Sequence, residues 1–114
     1  MTTGYLPSIY KRFTREHPDI SRLWEQLTNA CYHAGPLDEK TQQLIKLGIA
    51  IGLSSEGGVR SHVRQALLSG ISREEIEHAL LLGLSTAGFP AMIASYQWAK
   101  EVLDEGDASG APGW

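Results

Sequence analysis

Cysteine is almost missing from this chain, and its scarcity removes whole classes of chemistry. Cys31 is the single cysteine among 114 residues, so no intrachain disulfide can form and no CxxC pair exists for thiol exchange or a zinc knuckle. That composition leads to the expectation of a reducing cytoplasm. No stretch approaches the ~18 consecutive apolar residues of a membrane span, and the opening MTTGYLPSIYKRF has no apolar core of signal-peptide type. Positive charge is also in short supply. Ten Lys and Arg stand against thirteen Asp and Glu, a net charge of -3 with no basic block, so nucleic acid is not an expected partner. Alternating polar and apolar runs, the mark of half-buried strands, are absent, as is any long internal repeat.

What remains is helical periodicity along nearly the whole length, and the fold class read from it is all-α, with about six helices. The chain is short enough for a single compact unit. Within it we distinguish an N-terminal helical segment over residues 1–36, a main helical domain over 37–105 and a tail over 106–114. A short helix covers Ser8 to Glu16 and stops at His17-Pro18-Asp19, because proline disfavours helical geometry in the residue before it. Pro18 opens a second helix, to about His33, that places Ile20, Leu23, Trp24, Leu27 and Cys31 on one stripe. After Ala34-Gly35-Pro36, Asp38 is a natural N-cap for a third helix, EKTQQLIKLGIAIGL, whose second half is apolar on every side and is expected to be buried all round.

The junction LLSGISREEI draws several independent rules together. Gly70 suits the left-handed position that closes a helix, Ser72 and Glu75 match a capping box, and Ile71 with Ile76 match a hydrophobic staple. A fifth helix then runs from Arg73 to about Thr86, AGFP breaks it, and AMIASYQWAKEVLDE forms a sixth. The remaining GDASGAPGW, ending in Trp114, reads as disordered.

The stretch SSEGGVRSH, residues 54–62, holds the functional candidates. It is not a P-loop, since it follows a helix and lacks the longer glycine span with a terminal Lys and Ser or Thr. Ser54 or Ser55 serves as an N-cap, with Glu56 facing the positive end of the helix dipole. Gly57 and Gly58 each cost about 1 kcal/mol against alanine in a helix, so they point to a loose first turn or to a neighbour too close for a β-carbon. His62 sits beside Val59, Val63 and Ala66 at the border of the apolar stripe, either as a hydrogen-bonded core histidine or as a titratable group of a site.

With His62-x3-Ala66-x3-Gly70, the Glu-Glu-Ile capping segment and Gly88-Phe89-Pro90, residues 37–102 resemble the carboxymuconolactone decarboxylase family, which includes the AhpD-like alkylhydroperoxidases. The resemblance implies a small helical protein assembled as a trimer or a hexamer. In AhpD-like members a CxxC pair stands four residues before the histidine, with a glutamate one helix earlier. Here Ser55 and Gly58 occupy the thiol positions and Gln43 the glutamate's. A hydroxyl cannot replace a thiolate, so thiol peroxidase activity is not expected. The decarboxylase branch lacks the thiols and keeps the histidine. That resemblance implies a cofactor-free carboxy-lyase acting on a small carboxylated lactone or related acid, with His62 as general acid. The alternative is a non-catalytic oligomeric binding or accessory relative.

Arg60 and Arg64 flank His62 and could hold a carboxylate, but a solvated helix face is the better explanation of both, and they stay outside the catalytic set. Glu75-x-x-His78 has the spacing of half a di-iron site with no second half, and Cys31-Tyr32-His33 is too isolated for zinc. No metal or cofactor is therefore expected. Trp24, Phe89, Tyr96 and Trp98 read as core or interface packing. The apolar helices also exceed what six short helices can cover, so a homo-oligomer is expected.

Overall fold

The computed structural model describes residues 8–109, and the side chains of residues 8–105. Six helices follow one another: α1 Ser8–Glu16, α2 Pro18–Tyr32, α3 Glu39–Gly52, α4 Glu56–Leu68, α5 Arg73–Thr86 and α6 Phe89–Ser109. The all-α class read from the periodicity is the observed one.

Each boundary has a local cause. Asp38 caps α3 by accepting the Thr41 N–H at 2.8 Å, and Ser55 caps α4 by accepting the Gly58 N–H at 3.1 Å. Ser72 and Glu75 close a reciprocal capping box on α5. At the end of α4 the Ile71 N–H reaches the Ala66 carbonyl at 3.0 Å and the Gly70 N–H reaches that of Leu67 at 3.1 Å, with Gly70 at φ +82. This is a Schellman closure, which requires the left-handed conformation that glycine adopts without strain. Ile71 and Ile76, the staple pair, are both buried in the core.

Helix α6 differs from expectation at both ends. It begins at Phe89, with Pro90 in its first turn, where the missing N–H would be unbonded in any case. It also continues through residues 106–109, so the start of the expected tail is helical. One glycine, Gly106, costs about 1 kcal/mol there, too little to stop a long helix. The remainder of that tail, with Trp114, lies outside the described residues.

Helices α3 to α6 hold the core. Leu47 and Ile51 of α3, Val59 and Val63 of α4, Ile76 and Leu80 of α5, and Ala99 and Val102 of α6 are all buried in one cluster. A fully buried leucine or isoleucine contributes about 1.5–3 kcal/mol, so these eight positions carry much of the fold. Four ion pairs tie the outer elements to α6: Arg60 to Glu101, Arg64 to Glu105 at 3.8 Å, Arg73 to Asp104 at 2.7 Å and Lys100 to Glu77 at 2.8 Å.

Burial leaves the α2 stripe uncovered and corrects the expectation for α3. The α2 stripe of Ile20, Leu23, Trp24 and Leu27 is more than half exposed, and Ser21 is the buried residue of that helix. Likewise α3 is not buried all round, because Ile45, Ile49 and Leu53 are exposed while Leu47, Ala50 and Ile51 are inside. A helix meets its neighbours on one side, so apolar residues around its full circumference exceed what the other helices of one chain can cover.

The glycine pair of α4 separates into two cases. A β-carbon on Gly58 would lie 2.8 Å from Ser55 Oγ and 3.2 Å from Ala50 Cβ, whereas one on Gly57 would meet nothing within 4 Å. Gly58 marks a close approach of α3 and α4; Gly57 does not. Gly58→Ala should therefore disturb both cap and packing and lower stability by about 1–2 kcal/mol. Gly57→Ala should raise it by up to about 1 kcal/mol. Urea unfolding of the two variants checks this, and equal effects would remove the close-approach reading.

Candidate functional site

Two helical stripes face one another. On α3 and its C-cap, Lys46, Ile49, Ala50 and Leu53 recur at spacings of three and four; on α4 and its N-cap, Ser55, Gly58 and His62 do the same. Such spacing puts side chains on one helix face. Together these seven residues line a cavity of about 220 Å³ that is open on one side. That is below the ~300–1,000 Å³ typical of sites for drug-sized ligands, so the space suits a small molecule.

Ser55 Oγ is committed as the cap of α4, and no hydrogen bond joins it to His62. The two do not form a nucleophile and base couple, which requires hydrogen-bond reach. His62 is mostly withdrawn from solvent, with Nδ1 buried and without a hydrogen-bond partner among the described residues. The ring lines the cavity, and Nε2 is not among the buried nitrogens without a partner. A core histidine held by a carbonyl would show a bonded Nδ1, and this one does not. Burial, and then the positive charge of Lys46, push the His62 pKa below its ordinary value. Both effects oppose the imidazolium form, so the free site holds a neutral ring near pH 7.

The remaining candidates fall elsewhere. Arg60 is engaged by Glu56 at 3.1 Å and by Glu101, and Arg64 is buried with its guanidinium toward Glu105. Neither lines the cavity, and Arg64 does not lie on a solvated face. Gln43 is buried with its Oε1 unpartnered among the described residues, and it too is absent from the cavity wall. The Glu75 carboxylate accepts the Ser72 N–H at 2.8 Å while His78 is exposed, and no group of three or more His, Cys, Asp and Glu side chains that could hold a metal occurs among the described residues. Tyr96 and Trp98 pack against the core; Trp24 and Phe89 are exposed. Cys31 is also exposed. The residue that sequence reasoning missed is Lys46. Its signal was the single charge interrupting an otherwise apolar run, LIKLGIAIGL.

Comparison with known proteins places this arrangement. The model of the carboxymuconolactone decarboxylase family matches residues 18–101. The chain belongs to that family. The match begins at α2 and so takes in part of the N-terminal segment as well as the four-helix core. An uncharacterized protein of Methanocaldococcus jannaschii is 32% identical over 67% of this chain and 74% of its own length. A 4-carboxymuconolactone decarboxylase of Acinetobacter baylyi is 28% identical over 60% of this chain, which spans about half (52%) of that enzyme. The crystal structure of a carboxymuconolactone decarboxylase family protein from Legionella pneumophila shares the fold, with a TM-score of 0.75 at 22% identity over 85% of this chain and 87% of that one. Among the described residues no helix is long and apolar enough to cross a membrane.

The lowered pKa of His62 has a thermodynamic consequence. A group that binds its proton less readily folded than unfolded contributes stability that is full above its unfolded pKa, about 6.5, and is lost as pH falls from there through the folded value. Thermal stability should therefore decline between pH 7 and 5. The carboxylates of Asp38, Glu75, Glu77 and Glu101, all held below their ordinary values, add a separate loss at lower pH. His62→Gln should flatten the upper part of the profile and leave the lower part in place. Melting curves at half-unit pH steps test this, and an unchanged slope between pH 7 and 5 would show that His62 does not carry it.

Proposed function

We propose that this family member is a carboxy-lyase acting on a small carboxylated lactone or related acid, with His62 as the proton donor. The observation that carries the reading is the position of His62: a side chain on the wall of a small cavity, with one ring nitrogen sealed without a partner among the described residues. In the reaction the carbon–carbon bond to the carboxylate breaks and carbon dioxide leaves. The electron pair enters the substrate's conjugated carbonyl, and the resulting dienolate takes a proton at carbon from His62 Nε2. Solvent then restores the proton. A neutral ring near pH 7 is a poor donor, but an anion bound beside it offsets the Lys46 charge and favours the imidazolium. Substrate binding thus prepares the acid that the second step consumes.

The likeness to the Acinetobacter baylyi enzyme supports this substrate class. Thiol peroxidase chemistry is disfavoured, since the capping Ser55 and the close-packed Gly58 stand at the thiol positions. The single cysteine also suits a protein that works in the reducing cytoplasm. Carbon dioxide release from 4-carboxymuconolactone should fall about 100-fold or more in His62→Asn, with a melting temperature near that of the parent. Retained turnover with a stability loss of about 1–3 kcal/mol would make His62 a structural residue and favour the non-catalytic alternative.

Assembly follows from the exposed apolar faces. We propose that a second copy of the chain covers Ile20, Leu23, Trp24 and Leu27 on α2, and Ile45, Ile49 and Leu53 on α3, in a closed trimer or hexamer. Ile49 and Leu53 also rim the cavity, so assembly would restrict solvent access to His62. Multi-angle light scattering at micromolar concentration should give a multiple of 12.5 kDa; a stable monomer would overturn the assembly.

A further inference from the structure

We propose that Lys46 is the anion anchor of the cavity: from the α3 wall its ammonium holds a carboxylate oxygen of a small organic acid across from His62 on α4. The proposal rests on the reading above for the identity of the acid as a substrate, and on the structure for the site.

Four observations support it. Lys46 lines the cavity together with His62. It has neither a hydrogen bond nor an ion pair among the described residues. Other cations are committed: Arg60 to Glu56 and Glu101, Arg73 to Asp104, and Lys100 to Glu77. Finally, no carboxylate lines the cavity, while the first turn of α4, the positive end of a helix, forms part of its wall through Ser55 and Gly58. The acid nearest in sequence to the cavity wall, Glu56 beside Ser55, is drawn off by Arg60.

The physical consequence is a partly buried lysine beside Ile49, Ala50 and Leu53, with no carboxylate on the cavity wall to pair its charge. An opposite charge brought into such a partly desolvated site gains more than it would in water. An apolar molecule would leave the ammonium unpaired, and a cation would be repelled. A compact ammonium on a flexible stem accepts a carboxylate in many orientations, unlike the planar fork of arginine, so the anchor is tolerant of shape while demanding of charge. The cavity volume confines that tolerance to small acids.

The test uses the full chain and a probe that cannot decarboxylate under the assay conditions. Amide chemical shifts are followed during titration with 2-furoate, a five-membered-ring carboxylate, and with its uncharged methyl ester, at constant ionic strength. Furoate should shift the amides of residues 55–59 and the ester should bind at least about tenfold more weakly, a difference of ~1.4 kcal/mol. Lys46→Met should weaken furoate by about tenfold or more, Lys46→Arg by no more than ~3-fold, and Arg60→Gln should match the parent. Equal binding of acid and ester, unchanged furoate binding in Lys46→Met, or no shift at residues 55–59 would each overturn the anchor. Because the readout is binding, it separates the two claims. Lys46-dependent furoate binding without carbon dioxide release upholds the anchor and removes the lyase, whereas turnover with Lys46-independent binding does the reverse.

Discussion

The contact between Ala50 and Gly58 sets the geometry of everything discussed above. A β-carbon on residue 58 would stand 3.2 Å from Ala50 Cβ, so α3 and α4 would have to give by a few tenths of an ångström at this point to admit one. Helical arithmetic does the rest. One turn beyond Gly58 lies His62, and one turn before Ala50 lies Lys46, so the close approach at one end splays into a cavity walled by a base and a cation. The same glycine donates its N–H to Ser55, which fixes where α4 begins. Packing, helix start and site geometry therefore share one atom's absence.

Helix α4 serves two neighbours with two faces. Residues 58 and 62 turn toward α3; residues 60 and 64, each two positions from His62, lie far round the helix and pair with Glu101 and Glu105 of α6. Side chains two apart on a helix do not share a face. The arginines next to His62 in sequence are thus remote from it in function. They hold α4 against α6 while the other face stays available to the cavity. Exposed ion pairs are individually worth little, but the part-buried Arg60, with two carboxylates, and the buried Arg64 are better placed than most.

Much of the fold was legible because helix ends are local events. The Asp38, Ser55 and Ser72 caps, the Gly70 closure and the Ile71–Ile76 staple all depend on residues within one turn of each other, which a sequence displays directly. The positions of α2 and of the outer face of α3 were not legible. Periodicity locates an apolar stripe but not what it faces, so the sequence shows Ile20, Leu23, Trp24 and Leu27 on one stripe without showing that they are exposed in the single chain. His62 could be picked out through the family resemblance, as a titratable residue at the border of a stripe. Lys46 could not, because its meaning depends on which helix faces α3 and on which carboxylates other cations have already taken. Those are tertiary facts, and the one local trace, a single charge in the apolar run LIKLGIAIGL, does not disclose them.

The two polar groups on the cavity wall share a common deficit. His62 keeps Nδ1 buried without a partner among the described residues, and Lys46 keeps its charge without one. The histidine's arrangement is unfavourable for the folded chain by itself, since an unsatisfied buried group costs about 1–3 kcal/mol. The two groups also oppose each other, because the ammonium disfavours protonation of the ring. A purely structural role would be better served by an apolar pair of similar size. A small carboxylate resolves the conflict at both ends: it pairs with the ammonium, and by cancelling that charge it makes the imidazolium easier to form. The unfavourable free state and the reactive bound state are two consequences of the same placement. Burial sets most of the histidine's reluctance to protonate, and position 46 adds to it a part that a bound anion can cancel.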